Sequence, residues 1–189
     1  MAGRPASPMV KLVDRKPLVT TTSLRRLQRE EAGVVPREWK GDYALEIAVA
    51  CTERRPDPRD RRMSPFEALL DTGFTGRAAI SQMHYEYYCG APTSFDELPN
   101  DKLTFFDGSV AENARKWLGD LWVLPQGVAP DVKVPVKVPR GKGIVVVPQA
   151  ADDACVGMLA FCCLCARLQI DFTEGVFSVL IPKALVPNR

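Results

Sequence analysis

Proline placement restricts this chain more than any other feature. Sixteen of its 189 residues are proline, and each fixes φ, removes an amide donor and is shut out of helix interiors and central strands. The fold must therefore consist of short elements joined by many loops. An apolar fraction of 46% against 25% charged residues is that of a globular protein, so these loops frame a packed core and not a disordered coil. The length suits one domain, or one domain with a tail.

Residues 1–40 read as a basic, flexible N-terminal extension. They hold nine Lys/Arg against four Asp/Glu, a net of +5 that leaves the remainder of the chain at −3. Ser23 to Ala32 can form a short helix, with Ser23 as N-cap and Gly33 beyond its end. Only Leu24 and Leu27 give it an apolar edge, so it docks weakly or not at all. Arg4, Lys11, Arg15 and Lys16 against the single acid Asp14 resemble a transit peptide in composition, but a solvated basic arm is the simpler reading. The net charge of the whole chain is only +2, which makes no case for nucleic acid beyond that arm. No stretch approaches the roughly 20 apolar residues of a membrane span. Cys162, Cys163 and Cys165 are crowded in a way unlike a secreted disulfide framework, which favours reduced thiols and a cytoplasmic location.

From Tyr43 the pattern is that of strands. Tyr43 to Ala50 alternates and ends in a charged, proline-broken loop from Arg54 to Arg62. Phe66 to Leu70 forms a second strand running into Asp71. Ala78 to Ile80 is apolar, and the stretch to Tyr88 is helical. Leu103 to Phe106, the turn pair Asp107-Gly108 and the residues from Ser109 onward read as a hairpin, since Gly accepts positive φ without steric cost. Trp117 to Leu124 continues the return strand. In the proline-rich connection from Pro125 to Gly143, Val132, Val134, Val136 and Val138 alternate as in an exposed edge strand. Ile144 to Val147 is a short buried strand, Val156 to Arg167 a helix, and Leu168–Phe172 and Val176–Ile181 close the chain around a Glu174-Gly175 turn. Short strands at turn-rich spacing with one C-terminal helix indicate a mostly β domain over 41–183 and a short tail over 184–189.

The sharpest chemical candidate is Asp71-Thr72-Gly73. An apolar strand delivers the carboxylate, Thr and Gly make a tight turn, and a second small apolar stretch follows; a rigid strand end holds chemistry in register. The segment Phe66-Glu67-Ala68-Leu69-Leu70-Asp71-Thr72-Gly73-Phe74-Thr75-Gly76 resembles the active-site segment of retropepsin-like aspartic proteases, especially the prokaryotic Asp-Thr-Gly-Phe branch. Asp107-Gly108-Ser109 stands where that family has the turn of its flap. Ala154 to Phe161 resembles the family's later strand, Gly and short helix beneath the active site, and Leu168 to Val179 its closing strands.

The resemblance implies a closed β-barrel with a flap hairpin, and an aspartic endopeptidase without metal or cofactor. It implies Asp71, Thr72 and Gly73 as catalytic residues, and Phe74, Phe106, Asp107, Gly108 and Ser109 as contacts to a peptide or protein substrate. Such chemistry needs two carboxylates sharing a proton. With one Asp-Thr-Gly per chain, the resemblance implies a homodimer with Asp71 of each subunit at an isologous two-fold axis. A catalytically silent dimerisation or peptide-binding domain of the same family is the alternative.

Other signals have plainer readings. Cys162-Cys163-Leu164-Cys165 has no second pair for zinc, so its thiols act as small hydrophobes. His84, the only histidine, lacks an oriented nucleophile beside it and reads as a packing or surface residue. Gly141-Lys142-Gly143 lacks the spacing of a phosphate loop, and Trp117 and Trp122 read as core anchors.

Overall fold

The structure is a computed structural model that describes residues 7–20, 43–52, 55–56, 64–89, 95–97, 103–104, 110–111, 114–139, 143–147 and 154–187. In chain order its strands begin with β1 (Met9–Pro17), β2 (Val19–Thr20), β3 (Tyr43–Ala44), β4 (Glu46–Thr52), β5 (Phe66–Asp71) and β6 (Ala78–Ser81), which leads directly into helix α1 (Gln82–Tyr88). There follow β7 (Phe95–Glu97), β8 (Leu103–Thr104), β9 (Val110–Ala111), β10 (Arg115–Trp117), β11 (Asp120–Val123), β12 (Gln126–Gly127), β13 (Val136–Lys137) and β14 (Ile144–Val147). The chain closes with β15 (Cys155–Gly157), helix α2 (Met158–Cys163), β16 (Arg167–Asp171), β17 (Val176–Pro182) and a 3-10 turn at Lys183–Leu185. The domain is mostly β, as the short strands at turn-rich spacing lead one to expect.

One sheet runs β13-β11-β4-β5-β15-β6-β14-β10-β7. Strands β10 and β11 are joined by Leu118 and Gly119 alone, yet β4, β5, β15, β6 and β14 lie between them in the sheet. In a flat sheet that separation would be roughly 29 Å, at about 4.8 Å per strand. The chain from Trp117 to Asp120 can span only about 11 Å. The sheet is therefore rolled, with its two ends drawn together by that link. Its edge strands β13 and β7 do not pair with each other among the described residues, so the expected closed barrel is not completed by a ladder. The single return strand expected over Trp117–Leu124 is likewise two strands, broken at Leu118-Gly119.

A second sheet, β12-β1-β17-β16, stands against the first. Its centre corrects the reading of residues 1–40 as a flexible extension. β1 pairs antiparallel with β17 from Met9↔Pro182 to Pro17↔Val176 and parallel with β12. Leu12 and Val13 are fully buried, in one core with Ile47, Trp117, Val156, Phe177 and Ile181. Burying one such side chain is worth roughly 1.5–3 kcal/mol, so β1 is integral to the fold. Gly127, at φ +92, lets β12 approach β1 closely, because a Cβ there would meet the Asp14 carbonyl. The helix expected over Ser23–Ala32 lies outside the described residues.

Two further expectations change. Val132, Val136 and Val138 are buried, so the valine alternation belongs to a core-facing edge and not to an exposed one. The expected helix over Val156–Arg167 is confined to Met158–Cys163, because Cys155–Gly157 are paired in the sheet. Residues Leu185 and Val186 pack against the core, which carries the domain past the expected boundary at 183. No helix of the described residues is long and apolar enough to cross a membrane.

Candidate active site

Asp71 is the last residue of β5, a strand held on both sides. β4 pairs with it antiparallel, Glu46↔Leu69 to Val49↔Phe66. β15 pairs with it parallel, Leu69↔Cys155, Leu70↔Val156 and Asp71↔Gly157. Phe66 and Ala68 point into the core while Glu67 faces out, the alternation that fixes register. At the strand end the Asp71 carboxylate folds over its own turn: Oδ1 accepts the N–H of Gly73 at 2.8 Å and of Phe74 at 3.3 Å. Oδ2 takes no hydrogen bond among the described residues, and the side chain is half-buried at the surface. Thr72 and Gly73 are exposed.

The loop after Asp71 is shaped by a threading of the sheet. β5 and β6 are consecutive in the chain, yet β15 lies between them, so residues 72–77 arch over the end of β15. Their carbonyls take the amides that the start of α2 leaves unpaired: Gly157 N–H donates to Arg77 O at 3.0 Å, Met158 N–H to Phe74 O at 2.9 Å and Leu159 N–H to Gly76 O at 3.3 Å. That satisfies a helix start with no side-chain cap. It also explains glycine at 157, where a Cβ would lie under 3.0 Å from Gly76 O and Phe74 O. Strand, Gly and short helix thus pack under the Asp71 turn, in the order the sequence blocks suggest.

Phe74, expected as a substrate contact, is half-buried with its ring laid over Gly76 and Gly157, so much of its surface is spent on the loop itself. Arg77 was not singled out from the sequence. It is buried, and its guanidinium donates to Val138 O at 2.8 Å and Pro139 O at 3.2 Å, tying the loop to the proline-rich connection. An isolated Arg after a glycine carries no sequence signal for that role. The flap-like hairpin has its arms in β8 and β9, paired Leu103↔Ala111 and Thr104↔Val110. Phe106, Asp107, Gly108 and Ser109 at its tip lie outside the described residues. Met158 and Leu159, about two-fifths exposed, form an apolar surface beside the Asp71 turn.

The turn geometry is not unique to Asp71. Asp171 Oδ1 accepts the N–H of Thr173 at 2.9 Å and of Glu174 at 3.0 Å, the same bracing on an exposed hairpin. What separates the two aspartates is the second layer under Asp71.

The remaining candidates are structural. His84 is buried, and its ring lies 4.8 Å from that of Phe66 and 5.7 Å from that of Tyr88. Its Nδ1 is 2.8 Å from Ser81 Oγ, which caps α1 by accepting the His84 N–H; a buried capping hydroxyl is not an available nucleophile. Cys162 and Cys165 are exposed and Cys163 is half-buried, so two of the three thiols do not act as buried hydrophobes. Cys51 and Cys89 are the buried thiols; burial pushes the Cys51 thiol well up, and its contact with Cys89 adds to the effect. Among the described residues, no three His, Cys, Asp or Glu side chains gather as a metal site. Trp117 is fully buried and Trp122 nearly so, as core anchors should be. Comparison with models of protein families finds no match to this chain, and comparison with curated proteins finds none.

Proposed function

We propose that the chain is an aspartic endopeptidase acting as a homodimer, with a water activated between two Asp71 carboxylates, one from each subunit. The observation that carries this reading is the Asp71 turn itself. Its carboxylate is half-buried at a strand end, oriented by two backbone amides through Oδ1, and underlain by Gly157 and α2. Oδ2 is left to face a water or a partner carboxylate. In such a pair one carboxylate takes a proton from the attacking water and the other gives one to the substrate carbonyl. Like charges about 3 Å apart cannot both ionise, so a carboxylate pair of this kind shares one proton. The sequence holds a single Asp-Thr-Gly, so in this reading the second copy is part of the site and the interface is isologous. The β8–β9 hairpin is the element that would cover the bound peptide, in keeping with the retropepsin-like resemblance of the sequence. The reaction needs no metal or cofactor.

A second reading rests on Asp171. Because the same amide bracing occurs there on an exposed turn, the Asp71 arrangement is also satisfied by a silent relative that only dimerises or binds peptides. The two readings share a fold, and fold alone does not choose between them. Asp71→Asn decides, since Asn keeps the Oδ1 acceptor and the turn while removing the ionisable group. Wild type and variant are incubated with a peptide library from mildly acidic to neutral pH. Loss of a general acid–base pair lowers kcat/KM by at least about a hundredfold; equal cleavage by both proteins refutes the protease reading, and cleavage by neither favours the silent one.

A further inference from the structure

The end of α2 carries a feature that neither the core nor the Asp71 turn uses. Ala166 N–H donates to Phe161 O and Cys165 N–H to Cys162 O, each at 3.0 Å, and Leu164 is the last residue in the right-handed region. This is the Schellman arrangement, whose left-handed position is usually glycine. Here that position is Cys165, at φ 47, where a Cβ is sterically disfavoured. Among the described residues Arg15 is the one other non-glycine at positive φ, and it sits at the β1 bulge with its side chain paired to Glu174. Packing does not explain Cys165, because it is exposed. A strained residue that adds nothing to the core points to its own chemistry.

Cys162 supplies the partner. It too is exposed, three residues earlier, and its carbonyl is the acceptor that closes the turn. A turn closed in this way holds its end Cα atoms within about 7 Å, a range that covers the roughly 4.4–6.8 Å of disulfide-bonded cysteines. Cys163 lies a third of a turn round the helix, half-buried against the core. Phe161 and Leu164 are buried, so the backbone of the cap is anchored while the thiols at 162 and 165 meet solvent.

We propose that Cys162 and Cys165 form a redox-active dithiol whose oxidising substrate is a low-molecular-weight disulfide of the glutathione disulfide class. The thiolate of one cysteine attacks a sulfur of that disulfide and releases one thiol, leaving a mixed disulfide. The thiolate of the other then attacks the protein sulfur, closes the Cys162–Cys165 bond and releases the second thiol. One S–S bond breaks and one forms; two electrons pass to the oxidant, and the two cysteine protons end on its released thiols. The bridge would lock the last turn of a helix only six residues long, whose first amides bond to Phe74 O and Gly76 O beside Asp71. The proposal rests on this cap alone and stands whether or not Asp71 is catalytic.

In the test, the full chain is incubated with glutathione disulfide under native conditions, quenched in acid, alkylated in denaturant and mapped by peptide mass and fragmentation. Wild type is expected to carry a Cys162–Cys165 bridge with no glutathione retained at either position. Cys162→Ser and Cys165→Ser are each expected to stop at a mixed disulfide on the remaining cysteine, whereas Cys163→Ser still forms the bridge. A second measurement ties the bridge to the cap. Oxidised and reduced wild type are unfolded in urea at about pH 5, where scarce thiolate keeps exchange slow. The oxidised form is expected to have the higher midpoint, since a bridge that fits the native turn restricts only the unfolded chain. In the reduced protein Cys165→Gly is expected to raise the midpoint by removing the left-handed strain. Glutathione retained on wild type in place of the bridge overturns the proposal, as does an oxidised form whose midpoint is no higher than the reduced one. A Cys165→Gly protein no more stable than reduced wild type removes the strain from which the assignment starts, and overturns it too.

Discussion

Gly157→Ala probes the layer beneath Asp71 without touching the carboxylate. Gly157 has φ −92 and ψ 174, extended backbone that alanine adopts freely, so the substitution carries no conformational penalty. Its cost is steric. The new Cβ would lie under 3.0 Å from Gly76 O and Phe74 O and 2.6 Å from Phe74 Cδ1, so the arch over β15 must retreat by about 1 Å to restore normal contact distances. The two oxygens are the acceptors for Met158 N–H and Leu159 N–H, and a retreat stretches both bonds. Overpacking costs about 1–3 kcal/mol, and each weakened hydrogen bond about 0.5–1.5 kcal/mol. Together these give a destabilisation of roughly 2–6 kcal/mol, read as a fall of about 1–3 M in the urea midpoint at an m-value near 2 kcal/mol/M. Gly175→Ala is the matched control. Gly175 sits at φ +65 with nothing within 4 Å of a new Cβ, so it isolates the left-handed backbone cost of about 1–2 kcal/mol. A Gly157→Ala protein no less stable than Gly175→Ala refutes the threading of β15 under the Asp71 turn.

Leu12→Ala empties a fully buried position in β1 and is expected to cost about 2–5 kcal/mol in equilibrium unfolding; a change under about 0.5 kcal/mol, as at a surface site, would return β1 to the status of an arm. For buried Asp14, the hydrogen bond from Lys11 is the strongest influence and holds the carboxyl below its usual value, against the opposing pull of desolvation. Its folded pKa is thus lower than its unfolded one, so its contribution is present above about pH 4 and lost as pH falls through the folded value. The stability gap between wild type and Asp14→Asn should therefore be full at pH 6 and shrink as the pH drops below about 4; a gap that does not shrink contradicts the assignment.

The sequence shows most clearly those strands whose side chains alternate between core and solvent. β4, β5, β6, β14 and β17 all fall where alternation or an apolar run places them. β1 was hidden by its charges, because Lys11, Asp14, Arg15 and Lys16 read as a solvated arm. In the fold they are paired instead: Lys11 with Asp14 at 2.9 Å, Lys16 with Glu67 at 2.5 Å, and Arg15 with Glu174. Those partners lie far along the chain or depend on a strand bulge with Arg15 at φ 50, neither of which a net-charge count can register. The C-terminal helix was overdrawn for a different reason. An uninterrupted apolar run from Val156 does not reveal where sheet pairing stops and helix begins, and that boundary is fixed by Gly157 meeting Asp71.

The candidate site divides along the same line. Asp-Thr-Gly-Phe at 71 and Asp-Phe-Thr-Glu at 171 produce almost the same turn, each aspartate taking two amides through Oδ1. Local sequence therefore accounts for the shape of both turns and for the orientation of both carboxylates. It cannot account for their different settings. Asp71 rests on Gly157 and the start of α2, whereas Asp171 ends a strand that pairs only with β17 among the described residues, and it is exposed. A carboxylate braced only by its own turn has the freedom of that turn, while one underlain by a threaded strand is held to the sheet. If rigid placement is what an activated water requires, then Gly157→Ala should loosen Asp71 and leave Asp171 unaffected. The two aspartates thus serve as each other's control for whether the support beneath Asp71, beyond the turn itself, matters to what the carboxylate does.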